Sequence, residues 1–111
     1  MDELKRYEVL YTESAEEDIL SKAAYIEKFF RDPSLALKWY QRLKAEIQKD
    51  LSFFPYKFQL YDISPWNEKG IREFILRNDV VLYSVYEEKT VVYIHAVFTR
   101  GKNLSEDIAD I

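Results

Sequence analysis

The sequence contains no cysteine, so disulfides and thiolate metal sites are excluded. Its one histidine, His95, is too few for a protein-only zinc site. With two glycines and three prolines there is no flexible linker, and no low-complexity tract or internal repeat interrupts the chain. No apolar run approaches the ~18 residues of a membrane span. The opening Met1-Asp2-Glu3-Leu4-Lys5-Arg6 lacks the apolar stretch of a signal peptide, which makes a cytoplasmic protein the expectation. A basic excess is missing too: 16 Lys/Arg stand against 20 Asp/Glu, net −4. That argues against a broad phosphate-binding footprint. Only residues 69–102 lean basic, with six Lys/Arg against four acids.

What is present suits one packed domain. The chain has 111 residues, and 48% of them are hydrophobic, enough for a core and too much for a disordered chain. Tyr7, Val9 and Tyr11 alternate with their neighbours as a half-buried strand does. Ser14-Ala15-Glu16-Glu17 reads as a capping box, with Thr12 a competing cap two residues earlier. Ala15, Ile19, Ala23, Ile26 and Phe30 then follow helical spacing, which predicts a helix over about 13–30. Asp32-Pro33 caps and starts a second helix, about 33–52, whose stripe is Ala36, Tyr40, Leu43, Ile47 and Leu51; Pro55 closes it. The short link between them predicts an antiparallel hairpin.

The second half changes period. Residues 58–63 read as extended, 64–70 as a loop, and 71–77, 80–86 and 91–98 as strands. The link Asn78-Asp79 suits left-handed backbone. Strands joined by two- to four-residue turns pair antiparallel. The expected fold is α+β: an N-terminal strand, then a helical hairpin covering one face of a mainly antiparallel sheet of three to four further strands.

Three stretches, YEVLYTESAEEDILSKAAYI (7–26), DPSLALKWYQRLKAEIQKDLSFFP (32–55) and GIREFILRNDVVLYSVYEEKTVVYIHAVFTR (70–100), together resemble the RelE/ParE toxin superfamily of type II toxin–antitoxin and plasmid stabilisation systems. The resemblance spans almost the whole chain, as one toxin domain over 1–111. It implies growth inhibition and a partner antitoxin, joined in a hetero-oligomer, with a dimer of the chain also open. No cofactor or metal is implied. One branch blocks DNA gyrase and another cleaves messenger RNA on the ribosome, and a shared fold does not choose between them.

Metal-free RNA cleavage must deprotonate a 2′-hydroxyl, stabilise a pentavalent phosphate and protonate the leaving oxygen. Carried over by resemblance, Arg77 and Arg100 match two family arginines and are the candidate catalytic pair. Lys69 falls near a basic pair whose other position is not basic here. Thr99 stands where many members carry histidine, Val80 where many carry an arginine, and no aromatic follows Phe98 to match a C-terminal tyrosine. Arg72 lies five residues from Arg77, on the opposite strand face, so the two form no single patch; it is a residue to anchor the loop or pair with an acid.

Candidate target-binding residues are Arg72, Lys69, Lys102, Tyr86 and Trp66, and Tyr86, Glu73 or Lys102 would have to move protons if the chain is an enzyme. His95 reads as a packed mid-strand residue sharing a face with Val91, Tyr93 and Val97. The leading expectation is a toxin that binds a target such as DNA gyrase. The alternatives are a ribosome-dependent, metal-independent endoribonuclease using Arg77 and Arg100, or a degenerate member that retains only antitoxin binding.

Overall fold

A computed structural model describes residues 5–101. Strand β1 (Glu8–Tyr11) leads into helix α1 (Glu13–Phe30) and helix α2 (Pro33–Phe53). Strands β2 (Arg72–Leu76), β3 (Asp79–Tyr86) and β4 (Val91–Thr99) follow. The sheet order is β1-β4-β3-β2. The pairs β2–β3 and β3–β4 are antiparallel hairpins, whereas β1 lies parallel to β4 because the helical hairpin carries the chain across. The expected α+β architecture is therefore present, with a mixed sheet. Residues 58–63 contribute one bridge, Leu60 to Arg72, and no strand of their own.

Both helices start where side chains satisfy free N–H groups. Asp32 accepts from the Ser34 N–H (2.9 Å), and Pro33, which has no N–H to satisfy, opens α2. At α1 the cap is Thr12 rather than Ser14: its hydroxyl oxygen accepts from the Ala15 N–H (3.1 Å). The reason is tertiary. The Thr12 N–H donates to the Ile94 carbonyl (3.0 Å), which holds Thr12 extended at the end of β1. The helix has no choice but to begin at the next residue.

The core lies between the hairpin and one sheet face. Ile19 of α1 and Leu43, Ile47 and Leu51 of α2 meet Val81, Tyr83, Val92 and Ile94, all of them buried. Each fully buried aliphatic side chain contributes about 1.5–3 kcal/mol. Tyr83 is wholly buried because its phenol has a partner: it donates to the Pro55 carbonyl (2.6 Å). Among the described residues no buried side-chain nitrogen or oxygen lacks a partner. No described helix is long and apolar enough to cross a membrane.

One irregularity shapes the sheet. Leu82 pairs with Ala96 while Tyr83 pairs with Ile94, so His95 is an extra residue in β4, a β-bulge. The bulge changes the faces beyond it. Val97 points to the core with Val92 and Ile94, not to the face of Val91 and Tyr93 as strict alternation predicts. The Val97 N–H donates to Asp18 of α1 (3.0 Å), and Thr12 donates to the His95 carbonyl (3.4 Å). The bulge thus fastens β4 to the start of α1.

Candidate functional site

The turn between β2 and β3 brings the two candidate arginines together. It consists of Arg77 and Asn78, since Leu76 pairs with Asp79. The left-handed residue is Arg77 (φ 58°), not Asn78 or Asp79. Arg77 is therefore a turn residue rather than the end of a strand. Beside it, the Arg100 N–H donates to the Asn78 carbonyl (2.5 Å), and Thr99 pairs with Asp79. Arg77 and Arg100 are exposed, and neither has an ion-pair partner among the described residues. They form a short basic rim at one end of the sheet.

Asp79 sits under this rim and is buried. One carboxylate oxygen accepts from the Trp39 indole N–H (2.8 Å), and the other pairs with Lys22 of α1. The Lys22 ammonium also lies 5.2 Å from the centre of the Trp39 ring. Sequence reasoning did not assign this triad. An acid directly before the apolar Val80-Val81 run, and a lysine on the flank of the α1 stripe, were its only traces. Both carboxylate oxygens are occupied, so Asp79 supports the turn and is not presented to a ligand. Trp39 is accordingly a core residue with one polar contact, not an exposed anchor.

The remaining candidates lie elsewhere. Arg72 opens β2 opposite Tyr83, at the other end of the strand from Arg77. Its guanidinium donates to the Phe58 carbonyl (2.6 Å) and lies 5.2 Å from the centre of the Tyr56 ring. It anchors the incoming loop, one of the two roles its position suggested. Lys69 ends a short 3-10 turn (Asn67–Lys69), its ammonium 5.5 Å from the centre of the exposed Trp66 ring. Tyr86 ends β3 and packs edge-on against Tyr93 (5.9 Å). Lys69, Trp66, Arg72 and Tyr86 are thus at the far end of the sheet from the Arg77–Arg100 rim. Lys102 lies outside the described residues.

That far end holds a second cluster. Glu87 accepts from Lys5 (2.6 Å), from the Tyr7 phenol (2.7 Å) and from the Tyr56 phenol (3.1 Å). These donors, Lys5 first, hold the Glu87 carboxyl below its ordinary range. Burial, helped by the Glu87 charge, pushes the Tyr7 phenol up to about 12. The cluster ties the N-terminal segment and the residue-56 loop to the end of β3 as a structural clamp.

His95 is half-buried on the sheet face that the helices leave open, with Nε2 2.7 Å from Ser84 Oγ. Burial lowers its pKa, so the imidazole is neutral near pH 7. Glu73, the other acid–base candidate, accepts from the Gln59 amide (2.7 Å) and is the second residue of β2, beside Arg72. No group of three or more metal-ligating side chains gathers among the described residues.

The sequence by itself matches no protein-family model and no curated protein. The structure does match solved structures. It matches a chain of the RelBE2 toxin–antitoxin complex of Mycobacterium tuberculosis with TM-score 0.65 and 19% identity, over 92% of this chain and 100% of that one. It matches the chromosomal ParDE system of P. aeruginosa with TM-score 0.70 and 15% identity, over 86% and 98%. The isolated E. coli RelE toxin follows with TM-score 0.57 and 17% identity, over 94% and 97%. This chain has the RelE/ParE toxin fold. At such identities the likeness fixes the RelE/ParE architecture, and the activity has to be argued from this chain's own site.

On the RelE/ParE scaffold seen here, the sheet edges also matter. The outer edge of β1 borders a shallow hollow of about 380 Å³ lined by Arg6, Tyr7, Glu8, Val9 and Gln48. The outer edge of β2 borders another of about 340 Å³, lined by Lys57, Phe58, Gln59, Glu73 and Ile75. Part of each edge is already taken, since the Tyr7 N–H donates to the Ser52 carbonyl (2.7 Å) and the Glu73 N–H to the Gln59 carbonyl (3.0 Å); the backbone groups beyond these are where an extended segment can add as a strand.

Proposed function

We propose that this protein is the toxin of a type II toxin–antitoxin pair, and that it arrests growth by binding its target through the Arg77–Arg100 rim. DNA gyrase is the target class favoured. One observation supports the choice of binding over cleavage: the two exposed arginines stand together, and among the described residues no proton-transfer group is free beside them. Asp79 is held by Lys22 and Trp39, and Tyr86 lies at the other end of β3. His95 is committed to Ser84. Two guanidinium groups can clamp an anionic or carboxylate-bearing surface, but they do not by themselves both remove and deliver a proton. The neutralising antitoxin would add an extended segment along an outer sheet edge, β1 or β2, where the hollows lie.

Two assays on the purified protein test this reading. The protein is expected to inhibit DNA supercoiling by gyrase and to leave ribosome-bound messenger RNA intact. Cleavage of messenger RNA by the wild type, abolished in Arg77→Ala and Arg100→Ala, would establish the endonuclease instead. Inactivity against both targets, with the antitoxin still bound, would leave a degenerate member that keeps only its partner.

A further inference from the structure

The apolar stripe of α1 runs further than the core that covers it. Ala15 and Ile19 are fully buried, and Ala23 and Ile26 still pack against the core cluster. Phe30, next in the same stripe, is 57% exposed. Tyr25 and Phe29, on the adjoining flank, are 61% and 65% exposed. The three rings touch one another: Tyr25 stacks on Phe29 at 5.7 Å, and Phe29 meets Phe30 edge-on at 4.9 Å. Such an aromatic cluster, held in water by its own contacts, marks an interaction surface.

We infer that this hairpin tip is a self-association surface on which a second copy of the chain packs about a two-fold axis. Charge is the first argument for a second copy as the occupant. The cluster is bordered by Glu27, Lys28 and Arg31, all exposed, and none has an ion-pair partner among the described residues. Acid and base side by side at the rim make the patch self-complementary. A two-fold contact sets Glu27 of one copy against Lys28 and Arg31 of the other, and does so twice. The aromatic centre with a charged rim is the ordinary anatomy of an interface.

Area is the second argument. At those exposures the three rings offer about 350 Å² per copy, since a buried aromatic covers roughly 150–250 Å². A standard interface buries about 800 Å² per partner. The rings alone thus supply less than half of a standard interface, so the dimer is a weak one and needs the charged rim as well. This inference is independent of the toxin reading, because it concerns the opposite end of the hairpin from the loop-anchoring residues and uses none of the rim arginines.

Sedimentation equilibrium of the full chain over about 5–200 μM, a range that brackets micromolar dissociation, decides it. The wild type is expected to move from the 13.3 kDa monomer to twice that mass. Phe29→Asp and Phe30→Asp together are expected to weaken the dimer at least tenfold, with an unchanged circular dichroism melt showing that the fold is intact. Glu27→Lys alone, and Lys28→Glu with Arg31→Glu, should each weaken self-association, whereas mixing the two proteins should restore a heterodimer. A wild type that stays monomeric throughout would overturn the inference. So would a dimer indifferent to the aspartates, or charge variants that fail to pair with each other.

Discussion

The two ends of the sheet carry similar kinds of residue and treat them in opposite ways. At one end, Glu87 gathers Lys5, Tyr7 and Tyr56, and Arg72 is spent on the Phe58 carbonyl and the Tyr56 ring. At the other, Arg77 and Arg100 stand exposed and unpaired among the described residues, over a base in which Asp79, Lys22 and Trp39 satisfy one another. Charge that is fully partnered inside the chain holds structure; charge left unpartnered on a rigid base is available to something else. The backbone makes the same distinction. Arg77 occupies a left-handed conformation that costs a residue with a Cβ about 1 kcal/mol, and strain of that kind persists where surrounding structure enforces it.

Removing the base of the rim should have the largest effect. Asp79→Ala would leave a part-buried ammonium and a buried indole N–H without their acceptor, and a loss of about 3 kcal/mol in urea unfolding is expected. A loss below about 0.5 kcal/mol, the size of an ordinary surface change, would show that water satisfies both groups and that the rim has no rigid base. At the clamp end, Tyr7→Phe removes one donor from a carboxylate that keeps two others, so a smaller loss of about 1 kcal/mol is expected, with growth arrest intact.

Arg77→Gly separates the two ends most sharply. Glycine adopts positive φ freely, so stability should hold or rise by up to about 1 kcal/mol while growth arrest weakens. A variant that is more stable and fully toxic would remove Arg77 from the binding surface. The smallest effect is a pH dependence. The folded pKa of His95 lies below its ordinary 6.5, so the unfolded chain takes up the proton first as pH falls. Stability from this residue is intact above about pH 6.5 and declines as pH drops from there through the lowered folded value. His95→Gln should flatten that decline between about pH 7.5 and about pH 5 in urea midpoints; an unchanged slope would assign it to other groups.

The fold was legible in the sequence wherever local pattern and tertiary structure agree. Helical spacing in 13–30 and 33–52, the Asp32-Pro33 start and the three later strands reflect apolar residues placed for burial, and burial decides those elements. What was not legible depended on contacts distant in sequence. Ser14-x-x-Glu17 looks like a capping box, yet Thr12 caps because Ile94, far along the chain, fixes its backbone. The Asn78-Asp79 pair looked like the left-handed turn, yet the register places that strain on Arg77. The bulge at His95 leaves no mark in the alternation, so the face of Val97 was misread.

The site divided in the same way. The rim of Arg77 and Arg100 came from the resemblance, and the structure sets them together at the β2–β3 turn. Lys69, Trp66, Arg72 and Tyr86 stood apart as candidate target-binding residues, and the length of β2 and β3 separates them from the rim. The Lys22–Asp79–Trp39 base was invisible because its members come from three different elements.

Growth after induced expression of the Arg77→Gly, Arg100→Ser double variant, beside the wild type at equal abundance and matched thermal melts, tests the central claim most directly. Arrest by the wild type and unimpeded growth with the double variant is the result this account predicts. Arrest by the double variant equal to that of the wild type would contradict it and place the toxic surface away from the rim.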